Sequence, residues 1–232
     1  MVIAPFLAMT AAEIRANPNI SFPIAWMACH FSPCGTGLSN LPDELPEGSL
    51  LILDDQTPWC GHDSKLVVAQ LQERLDALGC CGLLLDFQRP RSTEVVELVH
   101  LICSELRCPV GVAEAYAAGL SCPVFLSPVP LQQMVAEYLA PWQGREIWLE
   151  LALDSEEILL TPEGTSTTPL LPRDIPEAVH HDEILHCGYS VTLEERSAKF
   201  TLTRARADLA PLLEEAVASG VTTAVGLWQE LA

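Results

Sequence analysis

Short apolar runs alternate with longer segments of helical periodicity through the middle of this 232-residue chain, and that alternation constrains its fold more than any other feature. Apolar runs of four to eight residues suit strands buried on both faces, and helices between them cover the two sides of a parallel sheet. Residues 49–55 form such a run and end on Asp54 and Asp55. A helix over 62–78 follows, with Leu66, Leu71, Leu75 and Leu78 on its apolar face, and Gly79 stops it. Residues 82–88 form the next run, and Ser92-Thr93-Glu94 opens another helix carried by Val95, Leu98, Val99 and Ile102. The intervening helix is too long for a hairpin connection, so the strands within 49–55 and 82–88 are expected to be parallel.

The rhythm thins towards both ends. Residues 108–114 and 122–127 read as two strands joined by a link short for a crossover helix, and 131–139 as a short helix. Strands are also expected at 24–30, 146–151, 200–203 and 221–228, with a helix over 208–219. Seven or eight parallel candidates counted from Ile24 predict a compact or incomplete (β/α)8 TIM-type barrel; an open doubly wound parallel sheet is the alternative that the same pattern allows. The length suits one barrel-like domain over 1–232, with a hairpin or rim insertion at about 154–200 where the pattern turns Thr-rich around Gly164.

Charge and composition exclude more than they propose. Twelve Lys and Arg against 31 Asp and Glu give a net charge of −19, which repels a phosphate backbone and argues against a nucleic-acid partner. The apolar share of 49% with 19% charged residues suits a packed core. The apolar start at 1–9 lacks a basic flank and is interrupted by Pro5, so neither export nor a membrane partner is expected. Nine cysteines, an odd number spread through core-like segments, then suit free thiols in the cytoplasm. No Gly-rich phosphate loop is present, so no cofactor is expected.

Barrels and open α/β sheets both bind ligands beyond the carboxyl ends of their strands. Side chains expected there are His30, Asp54, Asp55, Asp86, Gln88, Glu114, Ser127 and Trp228, with Trp59 on the loop after 49–55 as a stacking wall. Acids and indoles together suit a polyhydroxylated ligand. Each has a plainer reading: Asp54-Asp55 as a solvated turn pair, Asp86 as a loop cap, Trp228 as core.

The run Gly82-Leu83-Leu84-Leu85-Asp86-Phe87-Gln88-Arg89-Pro90 resembles the central strand of glycoside hydrolase family 18, the chitinase-like barrels, which carries D-x-x-D-x-D-x-E. In that frame Cys81, Leu84, Asp86 and Gln88 take the four motif positions, with Phe87 at an aromatic position and Pro90 in register. The last run, ending Val225-Gly226-Leu227-Trp228, is similar to the family's closing strand, whose Trp floors the sugar site. Family 18 hydrolysis uses a carboxylic acid to protonate the leaving oxygen, while a neighbouring Asp orients the substrate's acetamido group. The resemblance therefore implies a degenerate site: Gln88 has no such proton to give, but an amide still hydrogen-bonds a sugar hydroxyl.

Three functions follow as expectations. The first is a non-catalytic, glycoside-hydrolase-like barrel binding a carbohydrate at its mouth. The second is an active hydrolase of different chemistry using Asp86, Glu114 and either Asp54 or Asp55. The third is a structural or interaction protein docking through its acidic surface and residues 161–176. Cys29, Cys34, Cys60 and His62 match no common zinc spacing, Cys80-Cys81 lacks a redox spacer, and His180-His181-Asp182-Glu183 reads as a solvated connection, so no metal is expected.

Overall fold

In the computed structural model, which describes residues 3–33, 37–59, 63–171, 175 and 178–232, eight parallel strands close into a barrel. In chain order the elements are β1 (Phe6–Met9), α1 (Ala11–Ala16), β2 (Ile24–Phe31), β3 (Leu38–Ser39), β4 (Leu50–Asp54), α2 (Ser64–Leu78), β5 (Gly82–Asp86), α3 (Thr93–Glu105), β6 (Val110–Ala113), β7 (Val124–Leu126), α4 (Val135–Leu139), β8 (Ile147–Leu151), β9 (Asp154–Thr161), β10 (Gly164–Pro169), β11 (His180–Asp182), β12 (Cys187–Leu193), β13 (Ala198–Arg204), α5 (Arg206–Ala218), β14 (Val221–Leu227) and α6 (Trp228–Leu231). Around the barrel the order is β1, β2, β4, β5, β6, β7, β8 and β14, and β1 pairs in parallel with both β2 and β14. That closure removes the open-sheet alternative. The expected parallel pairing of β4 and β5 is present, running from Leu50↔Gly82 to Asp54↔Asp86.

One strand assignment is corrected. Residues 200–203 belong to β13, which lies antiparallel between β9 and β12, and the eighth barrel strand is β1 instead. The cause is visible in the residues. Phe200-Thr201-Leu202-Thr203 alternates apolar with polar side chains, as a strand apolar on one face only does, whereas Phe6-Leu7-Ala8-Met9 is apolar throughout, as a strand covered on both faces by apolar groups is.

Local signals set the helix limits. The Asp63 carboxylate accepts from Leu66 N at 3.1 Å to start α2, and Gly79, at φ 62°, ends it in the left-handed conformation. The Ser92 hydroxyl caps α3 through Val95 N at 3.3 Å. Between β6 and β7 a 3-10 turn at Glu114–Tyr116 replaces a crossover helix.

Alternate residues of each strand serve two cores. Leu51, Leu53, Leu83 and Leu85 face outwards and pack with Val67, Leu71, Leu98 and Ile102 of α2 and α3. Leu50, Ile52, Leu84, Phe125, Trp148 and Val225 fill the barrel interior. The Trp148 indole occupies the space where a Cβ on Gly111 would stand, 2.2 Å from its Cε3. Residue 111 must therefore lack a side chain for β6 and β8 to face each other across this interior.

Between β8 and α5 the chain builds a five-stranded antiparallel sheet in the order β10, β9, β13, β12, β11. It begins with the hairpin of β9 and β10 and runs to Arg204. Ile158, Cys187 and Leu202 of this sheet pack on Leu131 of the barrel. The buried Arg204 guanidinium joins the two parts by donating to the carbonyls of Leu185, His186 and Val129. His181 Nε2 lies 2.8 Å from Asp208 Oδ1, and His186 Nε2 lies 2.8 Å from Glu215 Oε2, tying the sheet to α5. No helix among the described residues is long and apolar enough to cross a membrane.

Candidate functional site

The eight barrel strands are parallel, so their carboxyl ends share one rim, and the inward parity that buries Ile52 and Leu84 lower down brings Asp54 and Asp86 to that rim. There a cavity of about 350 Å³ opens, floored by Met27, Ile52, Leu84 and Phe125 and lined by Asp54, Asp55, Asp86, Gln88, Arg89 and Glu150. Val225, Gly226 and Leu227 also line it. Apolar floor and convergent polar groups are the usual make-up of a small-ligand site.

The three aspartates do different things. Asp54 is buried, with its Oδ1 2.6 Å from His30 Nδ1 and 2.9 Å from Gln56 N. Asp55, also buried, accepts from Gln88 N at 3.0 Å and Arg89 N at 2.9 Å, while Arg89 Nε donates to the Asp55 carbonyl at 2.6 Å. Its carboxylate thus holds the loop that follows β5. Asp86 faces the cavity. Among the described residues its oxygens accept only from the Gln88 side-chain amide, at 3.1 and 3.3 Å. Burial raises the Asp86 pKa, the Gln88 hydrogen bond opposes that rise, and the charges of Asp54 and Asp55 add to it.

Glu150 completes the cavity and was absent from the residues expected at the mouth. It sits on β8 two residues after Trp148, so it points into the same interior one layer higher. Burial, then the charges of Asp86 and Glu230, push its pKa from 4.5 up to about 7. Its carboxyl makes no hydrogen bond or ion pair with the described residues. A signal existed: in Ile147-Trp148-Leu149-Glu150-Leu151 a lone acid interrupts a buried strand at the parity of the interior Trp.

Of the residues expected at the mouth, Asp54, Asp55, Asp86 and Gln88 come together there, with His30 behind Asp54. Trp59, Glu114, Trp228 and Ser127 do not line the cavity. Trp59 is buried beside Phe31, ring centroids 5.3 Å apart, because its loop folds back on the outer core and the indole follows the apolar side. Glu114 is exposed on the 3-10 turn that directly follows β6. Trp228 starts α6 and packs near Leu7, Met9 and Ile24, since β14 ends one residue before it and the helix turns its indole out of the barrel. Ser127 is exposed, and its carbonyl accepts from the Tyr138 hydroxyl at 3.0 Å.

No group of three or more His, Cys, Asp or Glu among the described residues could hold a metal ion. Cys34, Cys60 and His62 of the weighed zinc set lie outside the described residues, and Cys29 is buried. The seven described cysteines are free.

Comparison with solved structures finds the same barrel. A doubly substituted GH18 chitinase from Cycas revoluta, in complex with (GlcNAc)4, superposes with a TM-score of 0.57 at 13% identity, covering 97% of this chain and 94% of that one. The spore cortex-lytic enzymes SleL of Bacillus megaterium QM B1551 and Bacillus cereus give TM-scores of 0.55 and 0.54 at 10% and 11% identity, covering 97% and 99% of this chain and 70% and 72% of theirs. At these identities the likeness is one of fold. No protein-family model matches the chain, and no curated protein does.

Proposed function

We propose that this chain is a glycoside-hydrolase-like barrel that binds a carbohydrate at its mouth without hydrolysing it. The observation that carries the reading is the Asp86–Gln88 pair, in which the amide nitrogen lies 3.1 Å from the carboxylate at the carboxyl end of the fourth barrel strand. A carboxylate with spare lone pairs accepts from sugar hydroxyl or amide hydrogens, and the Gln88 carbonyl accepts a further one. Ile52, Leu84 and Phe125 offer apolar surface to the face of a sugar ring or to an N-acetyl methyl group. Gln88 has no acidic proton, and loss of a positioned general acid costs about 10²- to 10⁴-fold in rate. The complex of the Cycas revoluta chitinase with (GlcNAc)4 makes N-acetylglucosamine oligomers the first ligands to try.

Calorimetry with chito-oligosaccharides and peptidoglycan fragments tests the binding half. Wild type is expected to bind and Asp86→Ala to bind at least about tenfold more weakly, the loss of one charge-assisted hydrogen bond. Heat from no sugar would remove this reading in favour of a protein-interaction role.

A second reading has its own observation. Glu150 retains a proton near neutral pH and shares the cavity with Asp86, which is the arrangement of an acid and a base. On that reading the chain hydrolyses its ligand with Glu150 as the donor. Hydrolysis abolished by Glu150→Gln and retained by Gln88→Ala would select it over the non-catalytic one.

A further inference from the structure

We propose that the mouth takes a carbohydrate carrying a free amino group, a glucosamine-type ring whose ammonium is held by Asp86 and Glu150. The proposal rests on the reading of the mouth as a sugar site and names the substrate class that its charge selects. The cavity of about 350 Å³ is lined by the carboxylates of Asp54, Asp55, Asp86 and Glu150, against one cation among the described lining residues, Arg89. Two of the four acids are answered from within the protein. Asp54 Oδ1 lies 2.6 Å from His30 Nδ1, and Asp55 accepts from the backbone N–H groups of Gln88 and Arg89. The Arg89 guanidinium is spent on backbone as well, donating to the carbonyls of Asp55 and Gln56 at 2.6 and 2.7 Å.

Asp86 and Glu150 are the two acids that remain. Among the described residues Asp86 accepts only from the Gln88 amide, and the Glu150 carboxyl has no hydrogen-bond or ion-pair partner. They stand on β5 and β8, which β6 and β7 separate, and both line the cavity, so a ligand there meets a carboxyl group from each of two strands. An ammonium brings three donors and a full positive charge to such a place. An N-acetyl group on the same carbon brings one neutral N–H. Hydrogen bonds between charged partners are roughly twice as strong as neutral ones. Ile52, Leu84 and Phe125 offer the same apolar floor to either ring, so the substituent on nitrogen decides between them.

The surroundings of Glu150 give the proposal a second readout. Burial, then the charges of Asp86 and Glu230, push its pKa up to about 7. Glu230 of α6 accepts from Leu153 N at 2.9 Å, and the Tyr138 phenol of α4, pushed up to about 12 by burial and by the charges of Glu114 and Glu150, stays neutral. With Asp54 and Asp55 engaged as above, no cation of the protein opposes the rise. At pH 6 Glu150 therefore holds its proton until the ligand arrives. An ammonium beside it favours the carboxylate by about 10- to 1,000-fold in proton affinity, and binding expels that proton to solvent. An N-acetylated ring has no charge with which to do so.

Calorimetry at pH 6 with the tetramers of glucosamine and of N-acetylglucosamine, each in two buffers of different ionisation enthalpy, reads affinity and proton release together. The glucosamine tetramer is expected to bind at least about tenfold more tightly and to release about half a proton or more, the N-acetylated one to release none. Glu150→Gln should abolish the release, and Asp86→Asn and Glu150→Gln should each narrow the preference. Proton release by wild type does not depend on whether a variant folds. A preference that survives both substitutions together would come from the acidic surface rather than the mouth and would overturn the proposal. Equal or tighter binding of the N-acetylated tetramer would overturn it too, while leaving the mouth a sugar site. Binding of neither tetramer would remove both readings.

Discussion

Replacing Glu150 by Gln should stabilise the protein, but only where the wild-type carboxyl is asked to ionise. The unfolded chain releases this proton around 4.5, whereas burial beside Asp86 and Glu230 keeps it on the folded protein up to about 7. Between those values the folded state binds more protons than the unfolded one, so stability falls as pH rises. The contribution is fully present below 4.5 and lost once the pH has passed about 7. A rise from 4.5 to about 7 corresponds to roughly 3 kcal/mol at about 1.36 kcal/mol per tenfold change in proton affinity. Access to water through the cavity screens part of this, leaving about 2 kcal/mol. An uncharged amide of the same shape avoids that cost. Urea unfolding of wild type and Glu150→Gln at pH values from about 5 to 8 measures it. The two stabilities should be close at the acid end and separate by about 2 kcal/mol at the basic end, with the variant's Tm about 4 to 8 °C higher there. Stabilities that run parallel across the whole range would refute the reasoning, since the carboxyl would then ionise alike in both states.

Three further outcomes follow from the packing. Gly111→Ala drives a Cβ to within 2.2 Å of Trp148 Cε3 and should cost about 1 to 3 kcal/mol in urea unfolding; Trp148→Leu should recover part of that loss in the double variant. Trp59→Ala removes an indole from the aromatic group with Phe31, so a loss of about 3 to 5 kcal/mol is expected, while Trp228→Ala should leave calorimetric sugar affinity unchanged. Asp55→Ala leaves Gln88 N and Arg89 N without their acceptor, and about 1 to 3 kcal/mol of stability should go with it, measured by thermal unfolding near neutral pH.

Several parts of this architecture are legible in the residues alone. A strand covered on both faces must be apolar at consecutive positions, and a helix stopped by Gly79 and followed by another such run returns the chain in parallel, so β4, α2 and β5 could be read directly. Strand period and a shared direction then bring Asp54 and Asp86 to one rim, and the structure has both there. The hairpin of β9 and β10 lies where the sequence turns Thr-rich around Gly164.

Other decisions lie beyond local pattern. Which apolar run closes the barrel depends on pairing across the whole chain, and β1 with β14 joins residues more than two hundred positions apart that share no local signal. The aromatic residues after strand ends were misplaced for a related reason. Strand parity says which way a side chain points only while the strand lasts, and Trp59 and Trp228 lie just past that limit, where the loop path and the turn of α6 take over. Glu150 marks the reverse case: its parity was readable, but its proton affinity comes from burial and from Asp86 on a strand across the barrel. The sequence by itself determined the parallel β4–α2–β5 unit, the inward parity of its strands and the acids at their carboxyl ends, because these follow from chain connectivity and a two-residue period. Only the closed barrel decided which of those acids share one low-dielectric space, because burial and charge proximity belong to side chains far apart in sequence.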